Sequence, residues 1–514
     1  MKQPVFSVRG SARSVVIAEV AAMVVALGLI ACGVGLPVAI GVGAGLAVLL
    51  LVVTVGGLSL WQWLIRVMAW LRERRHRIEL GEFSDVQVDG STLGVLVEGH
   101  TVVTMVSVWG KSYRPTLLKP LQTDTPNTLP LSVIANEMRQ ADLGVDVDVL
   151  CEGRRTSSDS YAEVYSAFLG SRSAVGQRST TLVVRLDAHA ADTTAGLLWR
   201  RNSVAAAAAA TQRIVKALRQ NNCRAEILNT AQMREAAAAS VGGAEVLGAT
   251  FTDRWSALHQ PGHGFVTSHF FSAADLTGSN LDAVWSYNAD HTALVVALRR
   301  NTTGVSVSAL VRYTTIKPIT TTPGGILNRF TGRQWDPLLD TMPGARRLTG
   351  LPSIPVDVRL DQSLSVGPSG ILVGAVRDAM VLMPLSDPQQ PTRVAVNPQS
   401  DVLVRQLIRR SAASGEVVAV YDHAGQWEMT PASSRIWSTR DMAAQPPRPP
   451  TMVVHNGRSN PCPGAWISVA VRPSPDYDPD VTIDQAGNMI RLTTDQFSVE
   501  LPGITFRNEQ PFLR

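Results

Sequence analysis

Ile30-Ala31-Cys32-Gly33-Val34-Gly35-Leu36-Pro37 interrupts an apolar run that otherwise extends from Val15 to Leu60, and its reading decides the architecture. About 20 apolar residues cross a bilayer as a helix. The run is far longer than that, so it holds either one overlong helix or two shorter ones. Gly33 and Gly35 free the backbone to turn, and Pro37 cannot donate to a helix continuing from before it. The spacing therefore predicts two transmembrane helices within 15–60, joined by a very short turn. A cleaved signal peptide is the competing reading, and the length of the second apolar run argues against it.

Charge sets the orientation. Lys2, Arg9 and Arg13 precede the run, Arg66, Arg72, Arg74, Arg75 and Arg77 follow it, and the turn carries no charge. Positive flanks on both sides place both termini in the cytoplasm. Trp61, Trp63 and Trp70 follow the second span, where amphipathic rings prefer the headgroup level. Arg66, Arg72, Arg74, Arg75, Arg77, Trp61 and Trp63 are thus candidate membrane-interface residues. Leu64, Val67, Met68 and Leu71 recur at helical spacing, so 61–80 reads as a basic amphipathic juxtamembrane helix. Glu19 is the one charged residue in the apolar run, and Gly41, Gly43 and Gly45 permit close helix approach; these four are candidate intramembrane contacts.

The chain has 514 residues and a net charge of +5. That length predicts more than one folded unit. The mild basic excess collects beside the apolar run, which favours an anionic lipid surface and gives no reason to expect nucleic acid. Cys32, Cys151, Cys223 and Cys462 form neither a CxxC pair nor a zinc pattern with histidine. After a cytoplasmic tail (1–14), the hairpin (15–60) and the juxtamembrane helix (61–80), alternating apolar runs predict a cytoplasmic α/β domain over 81–320, a mixed sheet with helices. Its clearest helix is Val204 to Arg219, with six consecutive alanines and Ser203 as cap. Val145 to Leu150 alternates with aspartates and reads as an edge or one-sided strand. Gly and Pro residues over 321–350 predict a linker, and 351–514 a second, smaller α/β region with a strand–helix–strand unit at 394–421.

Motifs that would carry chemistry are weak. GxxxxGK[ST] does not occur, and Gly110-Lys111-Ser112 supplies only its tail. The loop Asn397-Pro398-Gln399-Ser400 has no glycine with which to approach a phosphate. His259, His263 and His269 lack a zinc-ligand geometry, and Asp476 to Asp480 lacks the glycine and spaced glutamate of a calcium loop. Asp146-Val147-Asp148 is a DxD, which in a membrane-anchored glycosyltransferase-like enzyme would hold a metal and a nucleotide sugar. That is the alternative function. No catalytic, cofactor-binding or metal residue is assigned, and the chain is expected not to be an enzyme.

Several segments together resemble the EccE family, membrane subunits of the type VII (ESX) secretion system of mycobacteria and related actinobacteria. They are the hairpin with its basic exit, Leu198-Trp199-Arg200-Arg201-Asn202 leading into the alanine-rich helix, the Leu281 to Trp285 helix, the strand Val305 to Tyr313, and the hairpin around Ala379 to Leu385. The resemblance implies a non-catalytic structural subunit of an inner-membrane translocation complex, multi-pass, without cofactor. Its implied partners are EccB-, EccC- and EccD-like subunits, the mycosin protease and the lipid bilayer.

Overall fold

The structure is a computed structural model and describes residues 6–8, 12–51, 53–55, 58–72, 74–88, 90–120, 122–157, 159–356, 364–429, 432–456 and 460–513. Lys2 and Arg9 lie outside these residues. The architecture is mixed α/β with several sheets, preceded by a helical hairpin.

The hairpin consists of α1 (Ala12–Ala31) and α2 (Leu36–Leu51). Gly33 stands at φ +82°, the left-handed conformation that favours glycine. The Val34 N–H donates to the Leu29 carbonyl (3.0 Å) and the Gly33 N–H to that of Ile30 (2.9 Å). These two bonds close α1 as a Schellman cap. The second helix departs from expectation. It ends at Leu51, and extended segments Val53–Val55 and Leu58–Ser59 follow before α3 (Leu60–Arg72). Val53, Thr54 and Val55 are all β-branched, which favours an extended backbone. Among the described residues no helix is long and apolar enough to cross a membrane. With 16 residues, α2 is about 24 Å long against a hydrocarbon core of about 30 Å. The expected two-span topology is therefore unsupported as a membrane crossing, although the hairpin itself is present. The juxtamembrane helix stops at Arg72, and Arg75–Arg77 is a strand. Continued helix would stack Arg72 on Arg75 and Arg74 on Arg77, like charges at i, i+3.

The body is built on a 14-stranded sheet. Its main path runs Arg75–Arg77, Thr250–Asp253, Leu258–Gln260, Gly264–Phe271, Gly304–Thr315, His291–Asn301, Asp146–Arg154, Gln177–Asp187, Thr101–Trp109, Ser91–Glu98, Phe83–Val88. Every pairing along it is antiparallel. One face carries the largest core, with Val106, Val149, Leu182, Leu294 and Val311, covered by the helix Ser203–Gln220. Ala206, Ala207 and Ala210 of that helix are buried, and their small side chains let it sit close to the sheet. Thr211 and Thr104 share a buried hydroxyl bond of 2.6 Å across the contact. The cap is Asn202, whose side chain accepts from the Ala205 N–H, rather than Ser203. Within 321–350, Leu327–Arg329 pairs with Gly264–Phe271 and Trp335–Asp340 forms a helix whose Leu338 joins Ile78 and Phe251 in a smaller core.

The second unit holds an eight-stranded sheet in the order Ile436–Thr439, Val418–Tyr421, Met452–His455, Ile467–Val471, Thr392–Asn397, Val481–Ala486, Met489–Thr494, Ser498–Pro502. Its first six strands are parallel and the last two pairings antiparallel. The central parallel strands Val418–Tyr421, Met452–His455 and Ile467–Val471 are buried on both faces, as fits a sheet with a crossover helix such as Asp401–Ser414. Arg410 of that helix is buried against Glu509 at 2.8 Å, and the Tyr161 hydroxyl also donates to Glu509. This pair clasps the C-terminal segment onto the unit.

Candidate functional site

The hairpin, α3 and the surface beneath them hold most of the residues singled out by the sequence. In the hairpin, Ala39 and Gly43 are buried among the described residues of α2. A Cβ on Gly43 would lie 2.6 Å from the Ala22 carbonyl oxygen and 3.4 Å from Ala26 Cβ. The helices therefore meet along Ala22 and Ala26 on one side and Ala39 and Gly43 on the other, small residues four apart on each helix. Gly41 and Gly45 have open space where a side chain would go. Two residues turn ~200° around a helix, so neither can share Gly43's face. Glu19 is exposed. Glu19 apart, the large exposed side chains described on the hairpin are apolar: Val16, Val20, Met23, Val24, Leu27 and Ile30 on α1, and Leu36, Val38, Ile40 and Val42 on α2.

Helix α3 lies against the body with one face and leaves Leu64, Ile65, Met68 and Leu71 exposed on the other. Its inner face is aromatic. The Trp63 and Trp70 rings sit 5.8 and 5.4 Å from Trp255, and the Trp70 indole N–H donates to the Asp253 carbonyl at 3.1 Å. Arg74 lies over the Trp70 ring at 4.1 Å, a cation–π contact. Arg66 is half-buried and reaches the Thr331 carbonyl at 3.4 Å. Arg72, Arg74, Arg75 and Arg77 are exposed. Trp61 belongs to α3, but its side chain lies outside the described residues. Between α3 and the body is a cleft of about 470 Å³, bounded by Arg66 and Trp70 above and by Arg333, Trp335 and Asp336 below. Sequence reasoning missed the body side of this cleft. Its one signal was the unusual density of tryptophan and arginine on both segments, at 61–70 and at 333–335.

The DxD reads differently in space. Asp146–Arg154 is a central strand, not an edge, and both aspartates are buried. Asp148 is ion-paired to Arg185 and, at 2.6 Å, to Arg299. Asp146 pairs with Arg347 at 2.6 Å and Arg300 at 3.3 Å. Burial pushes the Asp148 carboxyl up, but Arg299 and Arg185 outweigh it and hold the group below its usual range. Carboxylates already saturated by arginine cannot open toward a metal and a diphosphate. Among the described residues, no group of His, Cys, Asp and Glu is placed to hold a metal ion. The glycosyltransferase alternative finds no support here.

Other motif fragments are structural. Ser112 of the Gly110-Lys111-Ser112 tail donates to Asp387 and accepts from Arg224, tying the two units together. The 397–400 loop is held by the neighbouring strand, with Asn397 donating to Asp484 (2.7 Å) and the Gln399 N–H to Gln485 (3.1 Å). Asp478 and Asp480 both engage Arg393. His269 is buried, and burial followed by the Arg329 charge pushes it down to about 3, so it is neutral. On the sheet face opposite the alanine-rich helix, Glu152 is buried, and burial raises it to about 8 against the opposing charge of Arg312.

Residues 174–270, which span the Gln177–Asp187 strand, the alanine-rich helix and the strands after it, match the EccE family, described as a type VII ESX secretion system translocon. The chain is 27% identical over 412 residues to the ESX-2 secretion system protein EccE2 of Mycobacterium tuberculosis (strain CDC 1551 / Oshkosh), covering 77% of this chain and 74% of that one. It is 24% identical over 380 residues to the ESX-1 secretion system protein EccE1 of Mycolicibacterium smegmatis, covering 72% and 74%. It is 25% identical over 263 residues to the ESX-5 secretion system protein EccE5 of Mycobacterium marinum, covering 47% and 62%. The chain is thus similar, over about three quarters of its length, to components of type VII, or ESX, secretion systems. The family it resembles within that class is EccE, through the match over 174–270 and through relatives of that name at 24–27% identity.

Proposed function

We propose that this protein is a non-catalytic structural subunit of an inner-membrane ESX translocation complex, seated in the bilayer by its hairpin with the body and both termini on the cytoplasmic side. The observation that carries this reading is the outward surface of α1 and α2. Ten described apolar side chains from Val16 to Val42 are exposed there, and between Val16 and Val42 the one charged residue is Glu19. Such a continuous apolar surface is costly in water and suits lipid tails or partner helices. The shortness of α2 is accommodated by local bilayer thinning or by helices of neighbouring subunits. The basic segment 72–77 and the uncharged turn at 33–35 support the cytoplasmic placement of the body.

EccB-, EccC- and EccD-like subunits are the partners this reading requires. On the body, Leu198 and Trp199 are 79% and 87% exposed beside Arg200 and Arg201. An exposed tryptophan next to arginines has the composition of an interface anchor. Affinity purification of the full chain from detergent-solubilised membranes tests the assignment. The ESX membrane subunits should co-purify in fixed ratio and be lost when residues 15–60 are deleted. Full recovery of those subunits with the deleted chain would refute the docking role of the hairpin.

A further inference from the structure

The cleft between α3 and the body has the chemistry of a receptor for one phosphate. Two arginines from distant parts of the chain converge on it. Arg66 comes from α3, and Arg333 from the loop before the Trp335–Asp340 helix. Burial, and next the charge of Arg333, lower the basicity of Arg66, which is what two guanidinium groups facing one space produce. The only hydrogen bond from the Arg66 side chain to another described residue is the long one to Thr331, and Arg333 uses its Nε on Asp336 at 2.8 Å. The carboxylates nearby are already engaged. Asp336 takes Arg333 and, at 3.6 Å, Arg346, while the Asp253 carboxylate accepts the Trp255 N–H at 2.9 Å. Guanidinium forks are suited to phosphate oxygens.

The walls say where that phosphate comes from. Trp70 and Trp335 give the cleft flat apolar sides. Ile65 lines the cleft and is also 45% exposed on the stripe with Leu64, Met68 and Leu71. The mouth of the cleft is therefore continuous with the apolar face of an amphipathic helix, the geometry by which a helix lies in a membrane surface. A phosphate with two acyl chains attached can place its headgroup on the arginines and leave its chains along that stripe.

We propose that this cleft binds the headgroup of an anionic phospholipid, its phosphate bridged by Arg66 and Arg333. The inference rests on the membrane seating proposed above and adds a specific lipid site to it.

The test uses the full chain reconstituted into nanodiscs of phosphatidylcholine with or without phosphatidylglycerol, with retained lipid read by native mass spectrometry. The wild type should retain phosphatidylglycerol in preference to phosphatidylcholine. The R66Q/R333Q variant should still reconstitute but lose that preference by about tenfold or more, since hydrogen bonds to a charged group are among the stronger ones. R72Q/R75Q, which removes exposed charge outside the cleft, should keep it. Equal retention of both lipids by the wild type overturns the proposal without recourse to any variant. So does loss of preference in R72Q/R75Q with retention in R66Q/R333Q, which would mean general surface attraction. Stabilisation of the detergent-solubilised chain by inorganic phosphate as large as that by phosphatidylglycerol would assign a free anion instead and overturn the lipid. If the wild type enters neither nanodisc, the membrane seating itself fails, an outcome distinct from the others.

Discussion

Asp148→Ala separates a structural carboxylate from a catalytic one. Asp148 and Arg185 each have 1% of their side chain exposed, and Arg299 15%. Removing the carboxylate leaves one fully buried guanidinium and one nearly buried one without their ion-pair partner, with only the weaker influence of Asp146 and, for Arg299, Asp340 remaining. Breaking a buried pair from one side costs about 3–5 kcal/mol. At about 2–4 °C per kcal/mol for a domain of this size, the melting temperature should fall by roughly 6–20 °C. The assay is intrinsic fluorescence melting of the full chain in detergent. A triple replacement of Asp148, Arg185 and Arg299 by apolar residues of similar volume should recover much of the loss, because the isolated apolar set carries no desolvation cost. The pH dependence has a definite sign. The folded-state value of Asp148 lies below its unfolded value, so its contribution is present above the ordinary carboxylate range and fades as pH falls through the folded value. A melting temperature within 2 °C of wild type (about 1 kcal/mol or less) would refute this reasoning. So would manganese-dependent binding of a nucleotide sugar that Asp148→Ala abolishes.

Other outcomes follow from the same structure. Gly43→Leu should separate α1 from α2, because even its Cβ meets the Ala22 carbonyl, whereas Gly41→Leu and Gly45→Leu should be tolerated; cross-linking between cysteines placed at 26 and 39 reads the difference. Glu152 holds a proton in the folded chain that the unfolded chain loses above its ordinary value of 4.5, so stability should fall as pH rises from there to about 8 and then level off. Glu152→Gln should flatten the upper end of that slope, leaving the contribution of Asp282, which burial raises to about 7, in a melting series across pH. Arg410→Ala leaves Glu509 buried without its partner and should cost about 3–5 kcal/mol, seen as release of the C-terminal segment to limited proteolysis; unchanged protection would show that the clasp is dispensable.

Local signals were the legible ones. The Gly33 turn, the alanine-rich helix and the 394–421 strand–helix–strand depend on neighbours a few residues away, and each stands where the sequence puts it. The two strands that the Asp401–Ser414 helix joins, Thr392–Asn397 and Val418–Tyr421, both lie in the parallel part of the second sheet. The large sheet is antiparallel throughout, and no local pattern announced that, because its strand order depends on pairings across the whole domain. Asp146 and Asp148 looked like a solvent face because the arginines that neutralise them come from far along the chain, Arg185 being 37 residues from Asp148 and Arg347 being 201 from Asp146. The early end of α2 was readable in principle from its β-branched residues, but apolarity over 36–60 masked it. The cleft under α3 was hidden for the same reason as the ion pairs: Trp70 meets its backbone acceptor at Asp253, 183 residues later.

The hairpin's orientation has a natural reporter in Cys32, exposed at the turn between α1 and α2. Cys151 and Cys223 are buried, and Cys462 is partly exposed in the second unit. A membrane-impermeant maleimide applied to intact spheroplasts should modify Cys32 and leave Cys462 untouched until the membrane is opened. Modification of Cys462 from outside, or protection of Cys32 until lysis, would contradict a hairpin that crosses the bilayer with the body on the cytoplasmic side.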